Sequence, residues 1–245
     1  MRKQLKSTFE LIRHRRTFVL LALTSFFLTV NWGVYIWSVT VDRIVEASLG
    51  YYITPLVSVA FGVLVFRERL RPYQWVAVAL AAIGVLTLTI EYGALPWIAL
   101  VLAISWSSYS LFKKHLNVGA LEGLSVETTV ALLPNLIYLL WLENQGGGHF
   151  GTGVGISLLL AGAGVITVVP LLLFNGATTR LPLSVTGLLQ YITPTIMFLV
   201  GIFVNHEAMP LGRAIGFGFI WLALAFLGAD LVRTARNSNI EGYDL

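Results

Sequence analysis

The sequence predicts an all-helical protein that crosses a membrane many times, and three observations support this class. Of its 245 residues, 57% are hydrophobic and only 11% are charged, whereas soluble domains carry about 25% charged residues. The charges stand in short clusters between apolar runs of roughly the 20 residues that a helix needs to cross a bilayer. The period-two alternation of transmembrane β-strands is absent from these runs.

The apolar runs predict eight membrane spans joined by short loops. They cover residues 17–40, 45–66, 73–91, 94–112, 123–142, 154–178, 183–204 and 211–232. Short connections predict that consecutive helices pack antiparallel.

The basic residues predict the orientation of the spans, because cytoplasmic loops are enriched in Lys and Arg. With the N-terminus inside, all but two of the 16 Lys and Arg residues fall in cytoplasmic segments, including Lys113 and Lys114. The two exceptions are Arg43 and Arg213. Both termini are therefore predicted to be cytoplasmic, and the net charge of +4 indicates topology rather than nucleic-acid binding.

A short string occurs twice and gives the spans an internal symmetry. Tyr52-Ile53-Thr54-Pro55 returns as Tyr191-Ile192-Thr193-Pro194, and eight of the twenty positions of 49–68 are identical in 188–207. The copies lie five spans apart, so they are inverted with respect to the membrane. Inverted repeats are typical of secondary transporters, whose substrate sites lie near the bilayer midplane.

The register of the repeat also predicts the domain organisation. Residues 92–235 form a complete repeat of five helices, residues 1–91 hold only three helices of the first repeat, and residues 236–245 form a cytoplasmic tail. We therefore expect the sequence to lack two N-terminal helices of a ten-helix protein. An inactive, N-terminally truncated fragment is accordingly an alternative to a working transporter.

Several stretches resemble one known family. They are Asn31-Trp32 with Ile36-Trp37, Glu46 to Tyr51, Glu68 to Trp75, Glu127 to Pro134, and the segment from Pro170 to Pro194. These stretches resemble the EamA-type permeases of the drug/metabolite transporter superfamily, in particular the RarD-like group. The resemblance implies ten helices in two inverted five-helix repeats. It also implies export of small amphipathic metabolites or drugs, such as chloramphenicol, across the plasma membrane.

Neutral polar and aromatic residues inside the spans predict a substrate cavity, because small-molecule pockets combine apolar walls with a few polar groups. The candidates are Asn31, Trp32, Tyr52, Thr54, Asn135, Asn175, Gln190 and Tyr191. The alternative for the polar ones is hydrogen bonding between helices, worth about 0.6 kcal/mol each. Pro55, Pro170 and Pro194 are hinge candidates, since a proline within a helix frees a backbone carbonyl; a passive kink is the alternative.

Four glutamates are candidates for coupling or gating. Glu127 lies about one turn inside the fifth span. A charge at the bilayer centre costs at least about 2.5–3.5 kcal/mol, so ionisable residues within spans are candidates for function. A protonatable carboxylate there could couple transport to a proton gradient, although an interfacial position is the alternative. Glu46 lies near the outer end of the second span. Glu68 and Glu207 end the two repeat copies, where surface pairing is the alternative to gating.

Other classes of function lack their signatures. A membrane-embedded enzyme would show a cluster of Asp, His or Glu near one interface, and the sequence shows none. The absence of cysteine and the scattered histidines predict no metal site or cofactor. Without an ATP-binding motif, energy would come from a gradient or from exchange. Gly212 and Gly216 form a G-x-x-x-G motif that predicts packing within the chain and leaves a homodimer open.

Overall fold

The computed structural model describes residues 11–41, 43–93, 96–147, 151–203 and 211–241. Within these ranges the chain forms nine principal helices and no strand, which confirms the all-helical class. The helices are α1 Arg15–Thr40, α2 Ile44–Val65, α3 Pro72–Tyr92, α4 Trp97–Leu116, α5 Ala120–Asn144, α6 Val154–Arg180, α7 Leu183–Leu189, α8 Ile192–Phe203 and α9 Leu211–Glu241. Five of these helices are long and apolar enough to cross a membrane: α1, α2, α3, α5 and α6.

The seventh predicted span is the one that the structure divides. Its first half, α7, ends at Leu189, and its second half, α8, begins at Ile192. Pro194 therefore lies in the first turn of α8, where the missing N–H has no helical partner to lose. Pro55, its mate in the repeat, lies inside α2, which continues past it without a break.

The chain forms two compact units, each with its own internal contacts. The first unit comprises the chain up to Val30 together with Ser108–Leu181. The second unit comprises Asn31–Ser107 together with the chain from Pro182 onward. Each unit takes segments from both predicted repeats, so the boundaries of the repeats stay a prediction from the sequence.

Close packing of α3 on α9 organises the second unit. A β-carbon on Gly84 of α3 would lie 2.7 Å from the carbonyl oxygen of Gly216 on α9. The two backbones can approach this closely because neither position carries a side chain. Around the crossing lies an apolar cluster that includes Ala81, Leu88 and Ile220. Gly216 of the G-x-x-x-G motif thus packs inside the chain.

We expect Gly84→Ala to lower the free energy of unfolding by about 1–3 kcal/mol, because the new β-carbon would meet a backbone oxygen that cannot rotate away. Gly218→Ala on α9 is the matched control, since nothing lies within 4 Å of its β-carbon. Thermal unfolding in detergent should give a lower midpoint for Gly84→Ala only. Equal midpoints for the two variants would contradict the close crossing.

Candidate functional site

A buried carboxylate lies at the centre of the first unit. Glu127 of α5 is 1% exposed. Its Oε1 accepts a hydrogen bond from Thr24 Oγ1 of α1 at 2.7 Å and lies 2.9 Å from Nζ of Lys113 on α4. Its Oε2 lies 3.4 Å from the hydroxyl oxygen of Tyr109. Tyr109 and Lys113 are four residues apart, so they share one face of α4 and both reach the carboxylate.

Lys113 is the charged residue of this cluster that the sequence analysis did not include among its site candidates. The bias of basic residues predicts that Lys113 is a cytoplasmic charge, whereas α4 extends to Leu116 and Lys113 is only 2% exposed. Its ammonium group fits because position 123 is glycine: a β-carbon there would lie 2.7 Å from Nζ. The ammonium and carboxylate groups are close but not aligned as a hydrogen bond, so their attraction is coulombic. The available signal was Glu127 itself, since a buried carboxylate requires a compensating charge.

Asn175 of α6 extends this network to a fourth helix. Its Oδ1 accepts a hydrogen bond from the Tyr109 hydroxyl at 2.7 Å, and the side chain is fully buried. Its Nδ2 has no hydrogen-bond partner among the described residues. The candidates Glu127 and Asn175, from separate spans, are therefore brought together through Tyr109. The result is a buried, charged and hydrogen-bonded cluster in a membrane protein, which is the usual setting of ion or proton pathways.

Glu68 makes a polar contact between distant segments of the second unit. Its Oε1 accepts the backbone N–H of Leu183 at 2.7 Å. Its Oε2 accepts the backbone N–H and the hydroxyl of Ser184 at 2.9 and 2.7 Å. These amides begin α7 and have no acceptor within their own helix. Gly62 permits the approach, because a β-carbon there would lie 2.6 Å from Oε2 of Glu68.

Glu46 acts at the start of another helix of the second unit. Its Oε1 accepts the backbone N–H of Ile98 at 2.9 Å, in the first turn of α4. Its Oε2 accepts the Tyr92 hydroxyl at 3.0 Å and lies 3.6 Å from Nη1 of Arg43. Although 2% exposed, this carboxylate is therefore fully occupied in joining α2 to the start of α4. Glu207 lies outside the described residues.

The first copy of the repeat contributes packing contacts in the second unit. Tyr52 packs edge-on against Phe217. The Thr54 hydroxyl donates to Gly50 of its own helix, while the Thr54 carbonyl accepts the Ser107 hydroxyl at 3.2 Å. The Pro55 carbonyl faces α7, since a β-carbon on Gly187 would lie 3.0 Å from it.

The remaining cavity and hinge candidates differ in their surroundings. Asn31 donates from Nδ2 to the Leu102 carbonyl and to Ser105, whereas its neighbour Trp32 is exposed. Asn135 is exposed and donates within α5, and Pro170 is exposed on α6.

Gln190 and Tyr191 form the break between α7 and α8. Nε2 of Gln190 and the hydroxyl of Tyr191 are buried. Tyr52 and Tyr191 belong to the same apolar cluster, so the second unit brings these two repeat-related candidates together.

The helices define a multi-pass helical membrane protein. The family model described as "EamA-like transporter family" matches residues 4–90 and 95–229. The chain therefore belongs to the EamA-like transporter family. A solved crystal structure that is 19% identical superposes with a TM-score of 0.56 over 86% of this chain and 88% of that chain, and this likeness concerns the fold alone.

Relatives from several bacteria are named RarD or uncharacterized transporter. Protein RarD of Streptomyces exfoliatus is 54% identical over 94% of this chain and 73% of the relative. An uncharacterized transporter of Vibrio cholerae is 42% identical over 92% of this chain and 75% of its own length. The chloramphenicol-sensitive protein RarD of Pseudomonas aeruginosa is 31% identical over 90% of this chain and 73% of its own length. The predicted RarD-like membership is thus confirmed.

We expect Lys113→Met and Glu127→Gln each to lower the free energy of unfolding by about 3–5 kcal/mol, because each leaves the other group buried without its partner. The double variant removes both and should recover most of this loss. Lys114→Met, on the same turn, serves as a control that leaves the pair intact. Thermal unfolding in detergent measures all four, and strictly additive effects of the two single changes would contradict direct pairing.

Proposed function

We propose that this chain is a secondary active transporter that exports small amphipathic metabolites or drugs across the plasma membrane. Membership of the EamA-like family supports transport of a small molecule. The name of the chloramphenicol-sensitive relative makes chloramphenicol the first solute to test. The observation that carries the mechanism is the buried pair of Lys113 and Glu127, because ionisable residues inside membrane spans commonly mark ion pathways and proton relays.

Proton coupling follows from the chemistry of this pair. When Glu127 is ionised, its carboxylate holds the ammonium group of Lys113 and so ties α5 to α4. A proton on the carboxylate removes the attraction and leaves Lys113 buried without a counter-charge, which is costly. The protonated cluster therefore favours an arrangement in which Lys113 reaches water or a polar group of the solute. Binding of a proton and movement of the two helices are linked in this way.

The orientation of the chain belongs to the same proposal. Burial of Lys113 removes one residue from the cytoplasmic charge count. The bias persists, because only Arg43 and Arg213 stand on the opposite side. Both termini are therefore proposed to be cytoplasmic, and alternating access between the inverted repeats 1–91 and 92–235 moves the solute outward.

Glu68 is proposed as a latch on the cytoplasmic side. Its carboxylate holds the first two amides of α7, so its release frees the start of that helix. The break at Gln190 and Tyr191 and the proline inside α2 are the hinges around which α7 and α2 move. Glu207, at the position equivalent to Glu68, is the proposed counterpart on the outer side.

We expect cells that express this chain to extrude labelled chloramphenicol, and Glu127→Gln to reduce the initial rate by about tenfold or more, as loss of one interaction of roughly 1.4 kcal/mol would do. Glu143→Gln, which alters an exposed glutamate at the end of the same helix, should leave the rate unchanged. A protonophore should abolish efflux. Extrusion by Glu127→Gln at the parental rate, with equal amounts in the membrane, would rule out carboxylate coupling.

Release of the latch is measurable with an introduced thiol, because the chain contains no cysteine. Val185 of α7 is buried, 8% exposed, so Val185→Cys should react slowly with a maleimide. Adding Glu68→Gln should accelerate labelling about tenfold, because an amide offers one acceptor oxygen where the carboxylate offered two. Glu143→Gln in the same background is the control. Unchanged labelling in the Glu68→Gln background would count against the latch.

A further inference from the structure

The break between α7 and α8 holds two hydrogen-bond donors without partners. Nε2 of Gln190 and the hydroxyl oxygen of Tyr191 are both buried, and neither has a hydrogen-bond partner in the part of the chain that the structure describes. Tyr191 is fully buried. Folded proteins leave few buried donors unpaired, because such a group gives up water and gains nothing in return. Two on adjacent residues therefore require an explanation.

The backbone groups of the same segment have partners, so the imbalance is confined to the two side chains. The carbonyl oxygen of Gln190 accepts the N–H of Thr193 at 3.2 Å. The carbonyl oxygen of Tyr191 accepts the N–H of Thr195 at 3.2 Å and the hydroxyl of Thr195 at 2.8 Å. The helix break has thus closed its own backbone contacts. What it lacks is an acceptor for the two side chains.

The first copy of the repeat supplies an internal comparison. Tyr52 occupies the position equivalent to Tyr191, but on the uninterrupted helix α2. Its ring packs edge-on against Phe217, and its hydroxyl is not among the buried atoms that lack a partner. Unpaired donors therefore accompany the broken copy and not the repeated string as such. Broken helices are where many transporters expose groups to a substrate.

The surroundings restrict the kind of acceptor. Tyr191 packs in an apolar cluster with Tyr52, Leu188 and Phe217, which suits the apolar or aromatic body of a solute. Neither Gln190 nor Tyr191 carries a charge. Two neutral donors can satisfy an uncharged acceptor oxygen by hydrogen bonding. A carboxylate or phosphate would bring a negative charge that neutral donors do not neutralise.

We propose that Gln190 and Tyr191 form a subsite for one uncharged acceptor oxygen, such as an amide or nitro oxygen, carried on an apolar or aromatic body. This inference rests on the proposed transport function and names the chemical class of its solute. The donors stay unpaired until the solute binds, and each then gains a partner of the kind that the break lacks.

The first measurement concerns stability without any solute and is independent of transport. Because the Tyr191 hydroxyl is buried and unpaired, Tyr191→Phe should raise the thermal midpoint of the whole chain in detergent by about 2–4 °C. Tyr52→Phe is the matched control and should give no rise. A lower midpoint for Tyr191→Phe would mean that the hydroxyl already has a partner in the fold, and the subsite would be refuted.

The second measurement uses probes of defined chemistry. Benzamide, nitrobenzene and chloramphenicol each present an uncharged acceptor oxygen on an aromatic body, benzoate presents a charged one, and ethylbenzene presents none. At least one of the first three should raise the thermal midpoint of the parent chain, and the two controls should not. For Tyr191→Phe and Gln190→Leu, the concentration that gives half of the shift should rise by roughly fivefold to tenfold.

The outcomes separate this inference from the transport proposal. Stabilisation by benzamide that depends on Tyr191 supports the subsite even if chloramphenicol is not extruded. Extrusion of chloramphenicol with an undiminished thermal shift in both variants would leave transport standing and overturn the subsite. Failure of all three acceptor probes to stabilise the parent chain, or equal stabilisation by benzoate, would also overturn it.

Discussion

The lack of water inside a bilayer is the constraint from which the contacts of this chain follow, because each polar group there must find its partner within the protein. The buried carboxylate of Glu127 finds Lys113, Thr24 and Tyr109. Glu46 and Glu68 accept hydrogen bonds from backbone amides at the start of a helix, which have no acceptor within that helix. They accept the amides of α4 and of α7, so three acidic side chains tie together elements that are distant in sequence.

Close helix contacts make these polar partnerships geometrically possible. A β-carbon at Gly123 would collide with the ammonium group of Lys113, and one at Gly62 would collide with the carboxylate of Glu68. At Gly84 the obstacle would be the backbone of α9. Small residues at helix contacts usually serve van der Waals packing in membranes. In this chain two of the three also leave room for a charged group, which links packing to the proposed mechanism.

The two copies of the repeated string show how context decides the conformation of one sequence. Tyr-Ile-Thr-Pro is helical throughout in α2 and follows a break in the second copy. Residues after the string differ: Thr195 returns its hydroxyl to the Tyr191 carbonyl, which the aliphatic Leu56 at the equivalent position cannot do. The asymmetry gives the second copy a break between two helices and two buried donors without a partner among the described residues.

By itself the sequence determined the helical membrane class, the family and the positions of most spans, because hydrophobic length and repeated residues are local properties that need no knowledge of contacts. It also singled out Glu127, Asn175, Gln190 and Tyr191 as polar residues within apolar runs. Only the tertiary structure decided their partners. Lys113 looked like a topology signal because its sequence neighbour is Lys114, and its pairing with Glu127 exists only once α4 and α5 pack. Likewise Glu68 acquires its role from α7, 115 residues away, since the pairing of distant groups depends on how helices pack.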